Sequence, residues 1–157
     1  FSQDSIHFNE SLKYTTPAGR TVYGGGGIMP DIFIPLDTLG VTTYYNKVWN
    51  TNVLYRYTLE FTDRHRAEID SIKTLKELDK MFEKYDLIGD FTEYAARHDV
   101  AKNSRELAIS RALIMAQLRA YIGRNTPLSD AAFYYNIYPN DKVLQRAVDE
   151  IKKQRKN

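Results

Sequence analysis

The sequence predicts a mainly α-helical fold led by a short strand-and-turn segment, and three observations point to it. Glycine and proline crowd the front: Gly19, Gly24, Gly25, Gly26 and Gly27 all precede residue 28, as do or nearly do Pro17, Pro30 and Pro35. From Thr42 onward apolar residues recur three and four apart, the spacing of one helix face. Helix start and stop signals then punctuate the rest, as at Asn103, Gly123, Thr126-Pro127 and Asn140. About five or six packed helices are expected, in a domain spanning 38–157 after a lead-in of 1–37.

In the lead-in, residues 5–16 alternate imperfectly between polar and apolar and are rich in strand formers. Pro17-Ala18-Gly19-Arg20 reads as a turn, with proline presetting φ and glycine supplying a permissive position. Thr21-Val22-Tyr23 reads as a second short strand. Asp31-Ile32-Phe33-Ile34 is a third apolar run, with proline on both sides. Strands this short bury almost nothing without a covering helix, so the segment reads as the edge of something larger.

In the helical part, Tyr45, Val48, Trp49, Tyr55 and Leu59 share a spacing that predicts a buried face in a segment running to about Ile72. Leu75, Leu78, Met81, Phe82 and Tyr85 form an amphipathic stripe, and a short helix over 90–98 turns Phe91 and Ala95 inward. Asn103 and Glu106 have the spacing of a capping box, opening a helix that buries Leu107, Ile114, Leu118, Tyr121 and Ile122 and stops at Gly123. Pro127 suits the first turn of the next helix, whose apolar face is Phe133, Tyr134 and Ile137. Asn140 caps a last helix with Val143, Leu144, Ala147, Val148 and Ile151 inside.

Composition narrows function. The chain has 157 residues, and such a length buries roughly 70% of its unfolded surface. With 43% hydrophobic and 13% aromatic residues it is globular. A net charge of +2 does not supply the one-sided basic surface of a nucleic-acid binder. The absence of cysteine excludes disulfides, thiolate zinc sites and thiol nucleophiles. No apolar run approaches the roughly 18 residues of a membrane span. A chain beginning at Phe1 reads as a processed or cut piece of a longer protein.

The candidate motifs yield no chemistry by themselves. The run Gly24 to Gly27 lacks the following Lys and Ser/Thr of a phosphate loop and reads as a turn. His7, His65 and His98 lie far apart, and Asp63-Arg64-His65-Arg66 reads as alternating charge on an exposed helix face, so no metal or other cofactor is expected. The basic end, Lys152, Lys153, Arg155 and Lys156, suits a helix C-terminus. Tyr44-Tyr45 and Tyr134-Tyr135 have the chemistry to stack on sugars or bases, but their helical spacing predicts core and rim packing.

A resemblance adds what the chemistry does not. Lys13, Tyr14, Thr16, Pro17, Gly19 and Arg20, followed by Gly27, Ile28, Pro30 and Asp31, resemble linked K-Y-x-T-P-x-G-R and G-I-x-P-D signatures late in the peptidase domain of carboxyl-terminal processing (tail-specific) serine proteases. The extended glycine run and the helical extension look like the Bacteroides-type envelope versions. The resemblance implies a secreted or periplasmic endopeptidase that cleaves proteins near their C-termini with a Ser nucleophile and a Lys base of lowered pKa. In the family those residues and a PDZ domain lie upstream of this strand, so no catalytic residue transfers to this chain, which is expected to be inactive alone. Protein or peptide substrates would be held by those missing parts, and residues 1–37 would be the end of a truncated peptidase domain, able to pair with a second copy. The alternative is a helical protein-interaction module with no protease history, its tyrosines lining a partner groove.

Overall fold

Two short strands and eight α-helices form among residues 10–19, 21–24 and 32–155, which the computed structural model describes. The fold is thus mainly α with a small β hairpin in front. The chain divides into two units, Phe1–Asp37 and Thr38–Asn157.

The first unit holds one turn of 3-10 helix, Glu10–Leu12, and antiparallel strands β1 (Lys13–Thr15) and β2 (Thr21–Tyr23), with Tyr14 opposite Val22. The expected strand over 5–16 is therefore three residues long in its described part, since the 3-10 turn stops the extended backbone at Leu12. Residues 5–9 lie outside the described residues. Ile32, Phe33 and Ile34 form no strand, contrary to expectation. Pro35 has no N–H to give a ladder, and Ile32 is 41% exposed.

The helices of the second unit are α1 (Thr43–Asn50), α2 (Val53–Arg64), α3 (Arg66–Ser71), α4 (Leu75–Glu83), α5 (Leu87–Arg97), α6 (Ser104–Arg124), α7 (Asp130–Ile137) and α8 (Lys142–Gln154). Their number exceeds the expected five or six because the segment to Ile72 is three helices, not one. Asn52 adopts a left-handed conformation, φ 55°, which an asparagine tolerates and a helix interior does not. His65, with φ −113° and ψ 22°, makes the second break.

The break at Asn52 also resets the helical phase. Tyr44 and Val48 of α1, then Val53, Leu54, Tyr57 and Phe61 of α2, are the buried hydrophobic residues, whereas Trp49, Tyr55 and Leu59 are exposed. The stripe of α4 is as expected, with Leu78, Met81 and Phe82 buried, and α5 buries Phe91 and Ala95. Around Tyr57 the core is aromatic: its ring meets Phe91 and Tyr94 edge-on at centroid distances of 5.5 Å each.

Helix α6 packs against α1, α2, α5 and α7. It buries Leu107, Ile114, Leu118 and Ile122, with Tyr121 only partly covered. Asn103 does cap it, accepting from the Glu106 N–H at 3.1 Å. The Glu106 carboxylate does not close the box; it accepts the Tyr44 N–H at the start of α1, beside a 2.8 Å hydroxyl pair of Thr42 and Ser110. The helix does not stop at Gly123 either. That residue lies within the last turn, and a Cβ there would stand 3.1 Å from the Ala132 methyl and 3.3 Å from Leu78 Cδ2. Glycine serves close packing of α6 on α7 rather than a left-handed cap.

Two apolar faces differ from expectation. In α7 the buried residues are Ala132, which packs closely on Gly123, and Asn136; Tyr134 is exposed. In α8, capped by Asp141 rather than Asn140, no residue is buried, and Val143, Val148 and Ile151 face solvent.

Leu118 is wholly buried, so Leu118→Ala should cost about 2–5 kcal/mol in denaturant unfolding. The Tyr57 hydroxyl is buried without a hydrogen-bond partner among the described residues, and burial holds its pKa well above the ordinary phenol range. Removing it as Tyr57→Phe should leave stability unchanged or raise it by about 1 kcal/mol, as read from the same unfolding curves.

Candidate functional site

The motif residues on the hairpin build a turn, not a reactive centre. The Gly19 N–H donates to the Thr16 carbonyl at 2.8 Å, closing Thr16-Pro17-Ala18-Gly19, and Gly19 takes φ +79°. The turn thus begins one residue earlier than the sequence suggests, and the left-handed position falls on the only residue without a Cβ cost. Lys13, Tyr14, Pro17 and Gly19 are exposed and Thr16 half-buried. The Gly24 N–H donates to the Leu12 carbonyl, extending the pairing by one bond. Arg20, Gly27, Ile28, Pro30 and Asp31 lie outside the described residues.

The second unit carries an exposed aromatic face. Tyr55 of α2 meets Tyr121 of α6 edge-on at 5.4 Å; Tyr121 meets Phe133 of α7 at 5.5 Å, and Phe133 meets Tyr134 at 5.4 Å. Tyr134 then stacks on Tyr138 at 5.2 Å, while the Arg124 guanidinium covers the Phe133 ring at 4.9 Å. Of the tyrosine pairs, Tyr44 is core and Tyr45 lies at its rim, its hydroxyl accepting from Gln117 Nε2 at 2.7 Å. Tyr134 and Tyr135 instead face solvent, and the Tyr135 hydroxyl donates to Asp79.

One end of this face opens into a concavity of about 450 Å³ at the α1–α2 joint. Val48 and Leu54 supply buried apolar surface; Trp49, Tyr55 and Tyr121 supply rings; Asn50 and Asn52 supply carboxamides. The joint is fixed by the Asn52 N–H donating to the Trp49 carbonyl at 3.0 Å. Reading one helical phase through Asn52 put Trp49 and Tyr55 in the core and so concealed this site. The signal for it was Thr51-Asn52, since asparagine is the residue that tolerates a left-handed joint.

The titratable cluster near His65 is structural. The Tyr85 hydroxyl donates to Glu68 at 2.6 Å and lies 3.1 Å from His65 Nδ1, while Lys84 donates to Glu68 at 2.5 Å. His65 packs on Phe61 and Tyr85 rather than standing on an exposed face. Among the described residues no group of His, Asp and Glu has the geometry of a metal site, and no helix is long and apolar enough to cross a membrane.

The class defined so far is a small helical domain with an exposed aromatic face. Over residues 44–126, more than half its length, the chain matches a family of unknown function, DUF8443, and it belongs to that family. No curated protein and no solved structure matches it.

The bond to Lys84, then that to Tyr85, holds the Glu68 carboxyl below its usual range, while the bond to Glu68 pushes the Tyr85 hydroxyl up. A lowered carboxyl pKa adds stability that is present above the unfolded value and lost as pH falls through the folded one. A raised phenol pKa adds stability that is lost as pH rises through its folded value. Glu68→Gln should therefore cost about 0.5–1 kcal/mol between roughly pH 5 and 9, screened by solvent. The gap to wild type should close below about pH 4, as measured by urea unfolding across pH.

Proposed function

We propose that the chain is the non-catalytic C-terminal region of a secreted or periplasmic serine endopeptidase of the carboxyl-terminal processing type. The Ser–Lys dyad, the oxyanion hole and the PDZ domain belong, in this reading, to other parts of the parent protein. The observation that supports it most is the hairpin. Lys13, Tyr14, Thr16, Pro17 and Gly19 match the family signature and form a two-stranded piece whose Tyr14 and Val22 are 59% and 40% exposed. An isolated two-stranded hairpin is marginal in water, and a neighbouring strand of a larger sheet, or of a second copy, would stabilise it. The helical unit then acts as an accessory surface on which protein or peptide substrates rest.

A second reading, a helical interaction module with no peptidase, is favoured by the exposed rings of Trp49, Tyr55, Tyr134 and Tyr138. Fusion separates the two. A Ser–Lys peptidase domain cut just ahead of its matching strand should be inactive alone, and joining it to this chain should restore cleavage of a C-terminally labelled peptide. The chain alone should cleave nothing, because proteolysis requires a nucleophile and base within hydrogen-bond reach. A fusion that stays inactive, or serine-dependent cleavage by the chain alone, would overturn the peptidase reading.

A further inference from the structure

The concavity at the α1–α2 joint has a chemistry that narrows what it takes, independently of the peptidase reading. None of its lining residues is an acid or a base. A carboxylate, phosphate or ammonium entering it would give up water without meeting an opposite charge on the lining, which is costly; the Arg56 guanidinium, outside the lining, rests on the Thr51 carbonyl at 3.5 Å. The lining therefore selects neutral ligands. Its volume of about 450 Å³ falls within the roughly 300–1,000 Å³ of small-ligand sites.

Two features choose among neutral ligands. First, Trp49, 54% exposed, and Tyr55, 41% exposed, present rings whose electron-rich faces attract polarised C–H bonds. Second, the Asn50 and Asn52 carboxamides each offer two donors and an acceptor oxygen, and no hydrogen bond engages either side chain among the described residues. A ligand that satisfies both features has an apolar C–H face and an edge of groups that donate and accept together. A pyranose ring has both. A proline-rich peptide offers C–H faces but chiefly carbonyl acceptors, leaving the carboxamide oxygens unused.

We propose that this concavity binds a neutral saccharide, with one pyranose ring stacked on Trp49 and its hydroxyls exchanging hydrogen bonds with Asn50 and Asn52. The left-handed Asn52, at φ 55°, sets the turn of the backbone at the joint, and the Tyr55–Tyr121 edge contact packs the neighbouring rings on each other.

Trp49 is the one tryptophan of the chain, so its fluorescence reports this site alone. The full chain is titrated to about 50 mM with neutral mono- to trisaccharides built on glucose, galactose, mannose and N-acetylglucosamine, since one stacked ring implies a Kd near the millimolar range. At least one series should give a saturable change, matched by amide shifts at residues 49–55 in nitrogen-15 NMR spectra. Asn52→Gly keeps the left-handed joint and removes the carboxamide, and it should weaken binding about tenfold. Asn50→Ala is the second variant should the first fail to fold. No saturable response to any saccharide, a response to tetraproline alone, or unchanged affinity in the folded variants would overturn the proposal.

Discussion

The second unit depends on one constraint, that α6 must be covered on several sides at once. Its 21 residues run from Ser104 to Arg124 and meet α1, α2, α5 and α7. A helix in that position cannot keep a single apolar stripe. It needs apolar groups where neighbours are large, as at Ile114 and Leu118, and almost nothing where a neighbour comes close, as at Gly123. The cost of placing glycine in a helix, about 0.5–1 kcal/mol against alanine, is offset by contact with Ala132. That contact decides which face α7 buries, and it leaves the large residues of α7 to pack sideways on one another. The exposed aromatic face is a by-product of that small-residue contact.

Mutual packing explains how so many rings remain half in water. Tyr121 and Phe133 are each flanked by other rings, so apolar surface is covered locally although Tyr134 and Tyr138 stay exposed. Offset and edge-on contacts add about 0.5–1.5 kcal/mol per pair beyond area. Such a ladder is rigid as well as stable, which is what a binding surface needs if it is not to spend its affinity on ordering side chains.

Much of the fold was legible in the sequence where periodicity was unbroken and unshared. The α4 stripe and the α5 pair Phe91 and Ala95 face one neighbouring core, so one phase describes them. Asn103 declared its cap because the Asx side chain acts on a backbone N–H three residues away. The failures have a common cause in contacts remote in sequence. Glu106 was drawn to Tyr44, Gly123 to Ala132, and His65 to Tyr85, and none of these pairings leaves a local mark. The candidate site failed for the related reason that a single left-handed residue, Asn52, rotates everything before it relative to everything after it. In α8 the periodicity marks an apolar face that no other element buries, since an amphipathic pattern states that a face is apolar without stating that anything covers it.

The bond between Glu106 and the start of α1 has a consequence for the order in which the domain opens. An eight-residue helix is too short to persist alone, and α1 is held by partners 62 and 68 positions away in sequence. The Tyr44 amide, held by Glu106, meets solvent deuterium when α1 and α6 part. In the free-energy ladder of partial openings, α1 therefore belongs on the same rung as the centre of the domain, although it stands near the chain's front. The α8 amides, with no buried side chain behind them, belong on the lowest rung.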